Sequence, residues 1–177
     1  MMDLNHFVID YIRKKGIRWM EERRLDLVPL LADFLSHIIE GKTVLIINDA
    51  PREWYANYLI NKINNFNEFK PSFIPIYKLN SIVPQIETAK HPEQFDMIED
   101  MLNISFNDYI FWYIGVETNL LKFARRKPES FFWIMDVDLS KNFYLKSIDE
   151  KLDMKLLNLA DLLNESIKAA IFGEIEI

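Results

Sequence analysis

The run TVLII, residues 43–47, is short, rich in β-branched residues and bounded by turn formers, and no polar residue alternates within it. A strand of this kind belongs in a sheet covered on both faces, because a solvated face would make every second residue polar. The same signal recurs downstream with helical patterns between. The spacing predicts a helix over 52–64, a strand over 72–77, a helical stretch near 95–102, a strand over 109–114, a helix over 119–126, a strand over 131–135 and a last short strand at 143–145. Strands separated by helices require right-handed crossovers, hence a mostly parallel sheet. The fold expected is α/β, a doubly wound sheet of about five strands with helices on both faces. Residues 80–92, with Pro84, Pro92 and mixed polarity, read as a long loop.

Ahead of the first strand, Leu4, Phe7, Val8, Tyr11 and Ile12 recur at three- and four-residue steps, which predicts an amphipathic helix over 4–12 that Gly16 ends. A second helix is expected over 25–40, its stripe running from Leu27 to Ile38 and its stop supplied by Gly41. The last helix, 153–172, carries Leu156, Leu157, Leu159, Leu162, Leu163, Ile167 and Ile171, wider than one stripe. Phe7, Tyr11, Leu156, Leu163 and Ile167 are therefore expected to pack against a second copy of the chain. With 177 residues, half of them apolar, one core and a single domain over 1–177 are expected.

Charge and composition narrow the function. A net charge of -6 argues against direct nucleic-acid binding, which needs a basic field to neutralise phosphates. The absence of cysteine removes disulfides, thiolate metal sites and cysteine nucleophiles, as a cytoplasmic protein would. No apolar run reaches the roughly 18 residues of a membrane span.

A doubly wound sheet takes its ligand at the carboxyl ends of its strands, where helix N-termini present free amides. After the first strand comes NDAPREWYANYL, residues 48–59, with no glycine and with Pro51, which has no N–H to offer a phosphate. Asp49 is a candidate N-cap that would place its own negative charge where an anion would sit. Arg52 either attracts an anion or is a solvated surface side chain. After 109–114, Gly115 precedes Glu117 and the candidate caps Thr118 and Asn119. After 131–135, Asp136 and Asp138 are either magnesium ligands or turn formers. His6, His37 and His91 are scattered. No catalytic, cofactor-binding or metal-binding residue is assigned. For a protein partner, Arg52, Trp54 and Tyr55 offer an arginine and two large rings near the sheet's carboxyl edge.

Four motifs, in order along nearly the whole chain, carry a resemblance: Arg52, Trp54, Asn57 and Tyr58 in R-x-W-x-x-N-Y; Phe111, Trp112 and Gly115 in FW-x-x-G; Ser130, Phe131 and Trp133 in SF-x-W; and residues 153–159 as D-x-KLL-x-L. The chain resembles the HobA family, ε-proteobacterial proteins that bind the replication initiator DnaA and are related to DiaA. The resemblance implies a fold like the sugar-isomerase (SIS) domain, a homotetramer, no enzymatic activity and no cofactor. It also implies a role in promoting ordered assembly of DnaA at the chromosomal origin through its N-terminal domain. Residues 17–27 and 78–108 match poorly. The alternative is a phosphosugar-binding protein or isomerase of the SIS class, with a polar pocket around Asp49, Arg52, Glu117 and Asn119.

Overall fold

A computed structural model describes residues 2–64, 74–139 and 141–177. In chain order its elements are β1 (Met2–Asp3), α1 (Leu4–Lys15), α2 (Arg18–Glu22), α3 (Arg24–Ile39), β2 (Thr43–Asn48), α4 (Glu53–Ile63), β3 (Ile76–Lys78), α5 (Leu79–Ile82), α6 (Pro92–Ser105), β4 (Tyr109–Gly115), α7 (Asn119–Ala124), β5 (Phe131–Ile134), α8 (Leu152–Ile171) and β6 (Ile175–Glu176). They form two compact units, Met1–Glu40 with Glu150–Ile177, and Gly41–Asp149.

In the first unit, Asp3 caps α1 by accepting from the His6 amide, and Gly16 ends it in the left-handed conformation at φ 67. Arg13, Lys14 and Lys15 in its last turn complement the helix dipole. The chain ends pair as a two-stranded parallel sheet, Met2 opposite Ile175 and Asp3 opposite Glu176. The helix α8 packs against α3 and buries most of its circumference, including Ala160, Asn164, Ser166 and Ala169. The sequence places Leu156, Leu163 and Ile167 at a contact between copies. Instead they are 0 %, 2 % and 3 % exposed within one chain, because the broad stripe is surrounded on several sides. Phe7 and Tyr11 are half-buried.

The second unit holds a four-stranded parallel sheet in the order β3-β2-β4-β5. Every residue of β4 is buried, as an unalternating apolar strand requires. One sheet face, with Leu45, Ile47, Tyr109, Phe111 and Tyr113, packs against apolar side chains of α5, α6 and α7. The residues between them, Val44, Ile46, Trp112 and Ile114, point to the opposite face, where Tyr55 of α4 stacks on Trp133 at 6.1 Å. The unit is therefore doubly wound.

Three expectations are corrected here. Residues 80–92 are no plain loop, since α5 and a 3₁₀ turn at Pro84–Glu87 bury Val83, Ile86 and Ala89. The predicted fifth strand at 143–145 reduces to isolated parallel bridges, Phe132 to Asn142 and Met135 to Leu145. There two backbone bonds, from the Phe143 amide to the Phe132 carbonyl at 3.2 Å and from the Asp136 amide to the Leu145 carbonyl at 2.9 Å, are joined by the Asn142 side chain, whose Oδ1 accepts from the Ile134 amide at 2.7 Å and whose Nδ2 donates to the Ile134 carbonyl at 2.9 Å. Of the strand expected over 72–77, residues 72 and 73 lie outside the described residues, Ile74 and Pro75 are not strand, and β3 runs instead over Ile76–Lys78.

Candidate functional site at the sheet switch point

The crossover from β2 leads to β3 on one side, while β4 and β5 lie on the other, so the switch point of the sheet falls between the carboxyl ends of β2 and β4. Asp49 follows the last residue of β2, and Gly115 ends β4. The Asp49 amide donates to the Ile114 carbonyl at 3.3 Å, which draws the two strand ends together. Asp49 is 8 % exposed, and its side chain accepts from three donors: the Arg52 amide at 3.1 Å on Oδ1, the Val116 amide at 2.8 Å on Oδ2, and the Arg52 guanidinium on Oδ2. Backbone amides at the end of one strand and the start of the next helical segment, plus an arginine, make an anion cradle. Here the chain's own carboxylate fills it.

The self-capping expected of Asp49 is thus found, and extends to Val116. Arg52 corrects the picture of a solvated arginine: it is 8 % exposed and held in a buried ion pair, which satisfies the charge of both partners. Its positive charge also helps hold the Asp136 carboxyl below its ordinary value, behind the larger effect of the Ser147 hydroxyl and amide that donate to it. Asp136 sits at φ 63, so of its two expected roles the structure assigns it that of turn former. Beside the cradle, the Tyr113 hydroxyl donates to the Val116 carbonyl at 2.6 Å and lies 2.9 Å from Thr118 Oγ1. Burial raises the Tyr113 phenol above its ordinary value, so the hydroxyl stays protonated as a donor. Thr118, rather than Asn119, caps α7, accepting from the Leu120 amide at 3.2 Å.

The three residues expected to meet a partner separate. Tyr55 is fully buried against Trp133, so it is core; its ring needs an apolar neighbour more than solvent access. Arg52 is committed to Asp49. Trp54 alone is exposed, at 39 %. Sequence reasoning passed over Asn57 and Tyr58, which lie three and four residues further along α4 and hence on the same helix face as Trp54. Asn57 is exposed and Tyr58 half-buried with Lys62 over its ring. The signal was available, because both belong to the R-x-W-x-x-N-Y motif. The remaining motifs have structural work: Ser130 Oγ accepts from the Phe111 amide at 3.1 Å, and Trp112 meets Trp133 edge-on at 4.9 Å.

A shallow cleft near the carboxyl end of β2, lined by Asn48, Leu79, Asn80, Ile86, Glu87 and Leu120, holds about 270 Å³ of space that is partly open to solvent. Asp49, Arg52, Glu117 and Asn119, the residues of the alternative pocket, do not line it. Among the described residues no cluster of three or more histidine, aspartate or glutamate side chains is arranged to hold a metal ion. No helix among them is long and apolar enough to cross a membrane.

A family model described as HobA: DNA replication regulator matches residues 1–177. The DNA replication regulator protein HobA of Helicobacter pylori is 23 % identical over 184 residues, covering 99 % of each chain. Among solved structures, a HobA–DnaA (domain I–II) complex from Helicobacter pylori matches with a TM-score of 0.74 at 21 % identity over all of both chains. A phosphoheptose isomerase from Francisella tularensis matches with a TM-score of 0.51 at 14 % identity, over 96 % of this chain and 98 % of that one. These structural likenesses establish a shared SIS-like α/β fold.

Proposed function

Because this chain belongs to the HobA family of DNA replication regulators, we propose that it is a non-enzymatic adaptor that binds the N-terminal domain of the initiator DnaA and promotes its ordered assembly at the chromosomal origin. The observation that carries the non-enzymatic part is the Asp49 carboxylate in the anion cradle. A phosphorylated sugar entering there would have to displace a carboxylate already paired with Arg52, and would meet it as a like charge. The partner is inferred from the relative solved together with DnaA domains I–II.

The chain is read as a single domain over 1–177, cytoplasmic and homotetrameric. Four copies would hold several initiator molecules and raise their local concentration without covalent chemistry. The partner face we assign is the outer side of α4, where the motif residues Trp54 and Asn57 are exposed and Tyr58 is half-buried, while the motif residues Ser130, Trp112 and Trp133 have packing roles. Calorimetric titration with the N-terminal domain of DnaA tests the reading, run beside titration with phosphosugars. Saturable binding of the protein domain alone supports it. Saturable binding of a phosphosugar instead would transfer the chain to the SIS enzyme class.

A further inference from the structure

The helix α6 has two apolar rows. Phe95, Ile98 and Leu102 are buried in the core against the sheet. On the outward side, Met97, Met101 and Ile104 are 72 %, 40 % and 88 % exposed. Their spacing of four and three residues stacks them into one row roughly 10 Å long. Single exposed apolar side chains are ordinary, whereas a row aligned along one helix costs solubility without serving the fold. Two of the three are methionines, whose flexible thioethers adapt to the surface of a partner.

We infer that the outer face of α6 is a docking surface for an amphipathic helix of a partner protein that carries basic residues along one flank. The charge of α6 selects this occupant. Glu93, Asp96 and Asp100 repeat at three- and four-residue steps and form a row beside the apolar one. The helix also carries Glu99 and has no lysine, arginine or histidine between Pro92 and Ser105. Arg126 pairs with Asp96 at 2.6 Å and with Glu99 at 3.3 Å, while Glu93 and Asp100 remain exposed. A second copy presenting the same face would bring carboxylates against carboxylates, and an anionic lipid surface would be repelled likewise. A helix with an apolar stripe and a basic flank satisfies both rows. The surface is separate from α4, which packs on the other face of the sheet, and it lies within the stretch 78–108, where the family resemblance is poor.

The probe is a synthetic helical peptide with a leucine face flanked by lysines, its binding followed by fluorescence anisotropy, with a glutamate-flanked peptide as control. The lysine peptide should bind the unmodified chain, weaken roughly tenfold or more with Met97→Gln/Ile104→Gln, and lose its advantage over the glutamate peptide with Glu93→Lys/Asp100→Lys. Hydrogen exchange should slow over residues 92–105 when the lysine peptide binds. Absence of binding, equal binding to the unmodified chain and to the Met97/Ile104 variant, or protection elsewhere would overturn the inference. So would self-association of the unmodified chain that the Met97/Ile104 variant abolishes, since a second copy would then own the face.

Discussion

The Asp49 carboxyl group occupies the space that a side chain at position 115 would need: a Cβ built on Gly115 would lie 2.5 Å from Asp49 Cγ and Oδ2. Gly115 also holds φ +147, which L side chains rarely adopt. Gly115→Ala should therefore cost about 2–4 kcal/mol of stability, measured by urea denaturation. Measured against Asp49→Ala alone, which removes the clash, Gly115→Ala should cost less, because only the backbone part remains. A single substitution at Gly115 that unfolds at the unmodified midpoint would show that the close approach is not real.

Asp49→Asn keeps the shape of the side chain and removes its charge, which leaves the Arg52 guanidinium buried opposite a neutral amide. Breaking a buried ion pair from one side costs about 3–5 kcal/mol. Asp49→Asn/Arg52→Met, with no orphaned charge, should be the more stable of the two variants. The reverse order in a denaturant series would mean that solvent already screens the pair.

Trp54 and Tyr55 are neighbours with opposite roles. Tyr55→Ala should lose about 3–5 kcal/mol, because it empties the space against Trp133. Trp54→Ala should change stability by less than about 1 kcal/mol and weaken binding to the DnaA domain by roughly tenfold or more. Calorimetry on the folded Trp54 variant decides the matter, and unchanged affinity would remove α4 from the partner face.

Leu163→Glu would put a carboxylate at a site only 2 % exposed within one chain. Burying an unpaired charge is strongly unfavourable, so the expected result is loss of folding rather than release of a folded monomer. Circular dichroism beside sedimentation separates the outcomes. A folded monomer from this variant would restore α8 to the contact between copies.

Burial, helped by the charge of Glu99, pushes the Tyr109 phenol from 10.0 up to about 12. The folded state binds this proton more tightly than the unfolded chain does. Its contribution to stability is therefore complete below pH 10.0 and is lost as pH rises through about 12. Alkaline titration of the near-ultraviolet absorbance should show a late step from which Tyr109→Phe removes one phenolate. A profile identical in the two proteins would contradict the assignment.

Helix periods, the strand runs and the caps at Asp49 and Thr118 were readable in the sequence because each depends on residues within about four positions. The parallel, doubly wound class of the sheet followed as well, from the alternation of those elements and the handedness of their crossovers, while the order β3-β2-β4-β5 came from the structure. What the chain alone did not disclose depends on groups that meet from far along it. Arg52 and Asp49 are three residues apart, yet their burial depends on the Val116 amide, 67 residues from Asp49. The stripe on α8 looked too broad for one chain because the sequence does not state how many neighbours surround a helix. The strand expected at 143–145 is reduced to two bridges, beside which a side-chain amide bonds the Ile134 backbone, and a backbone pattern does not encode that bonding. Burial belongs to whichever surfaces the tertiary fold brings together, and only the structure could show that Tyr55 faces inward while Trp54 and the outer row of α6 face solvent.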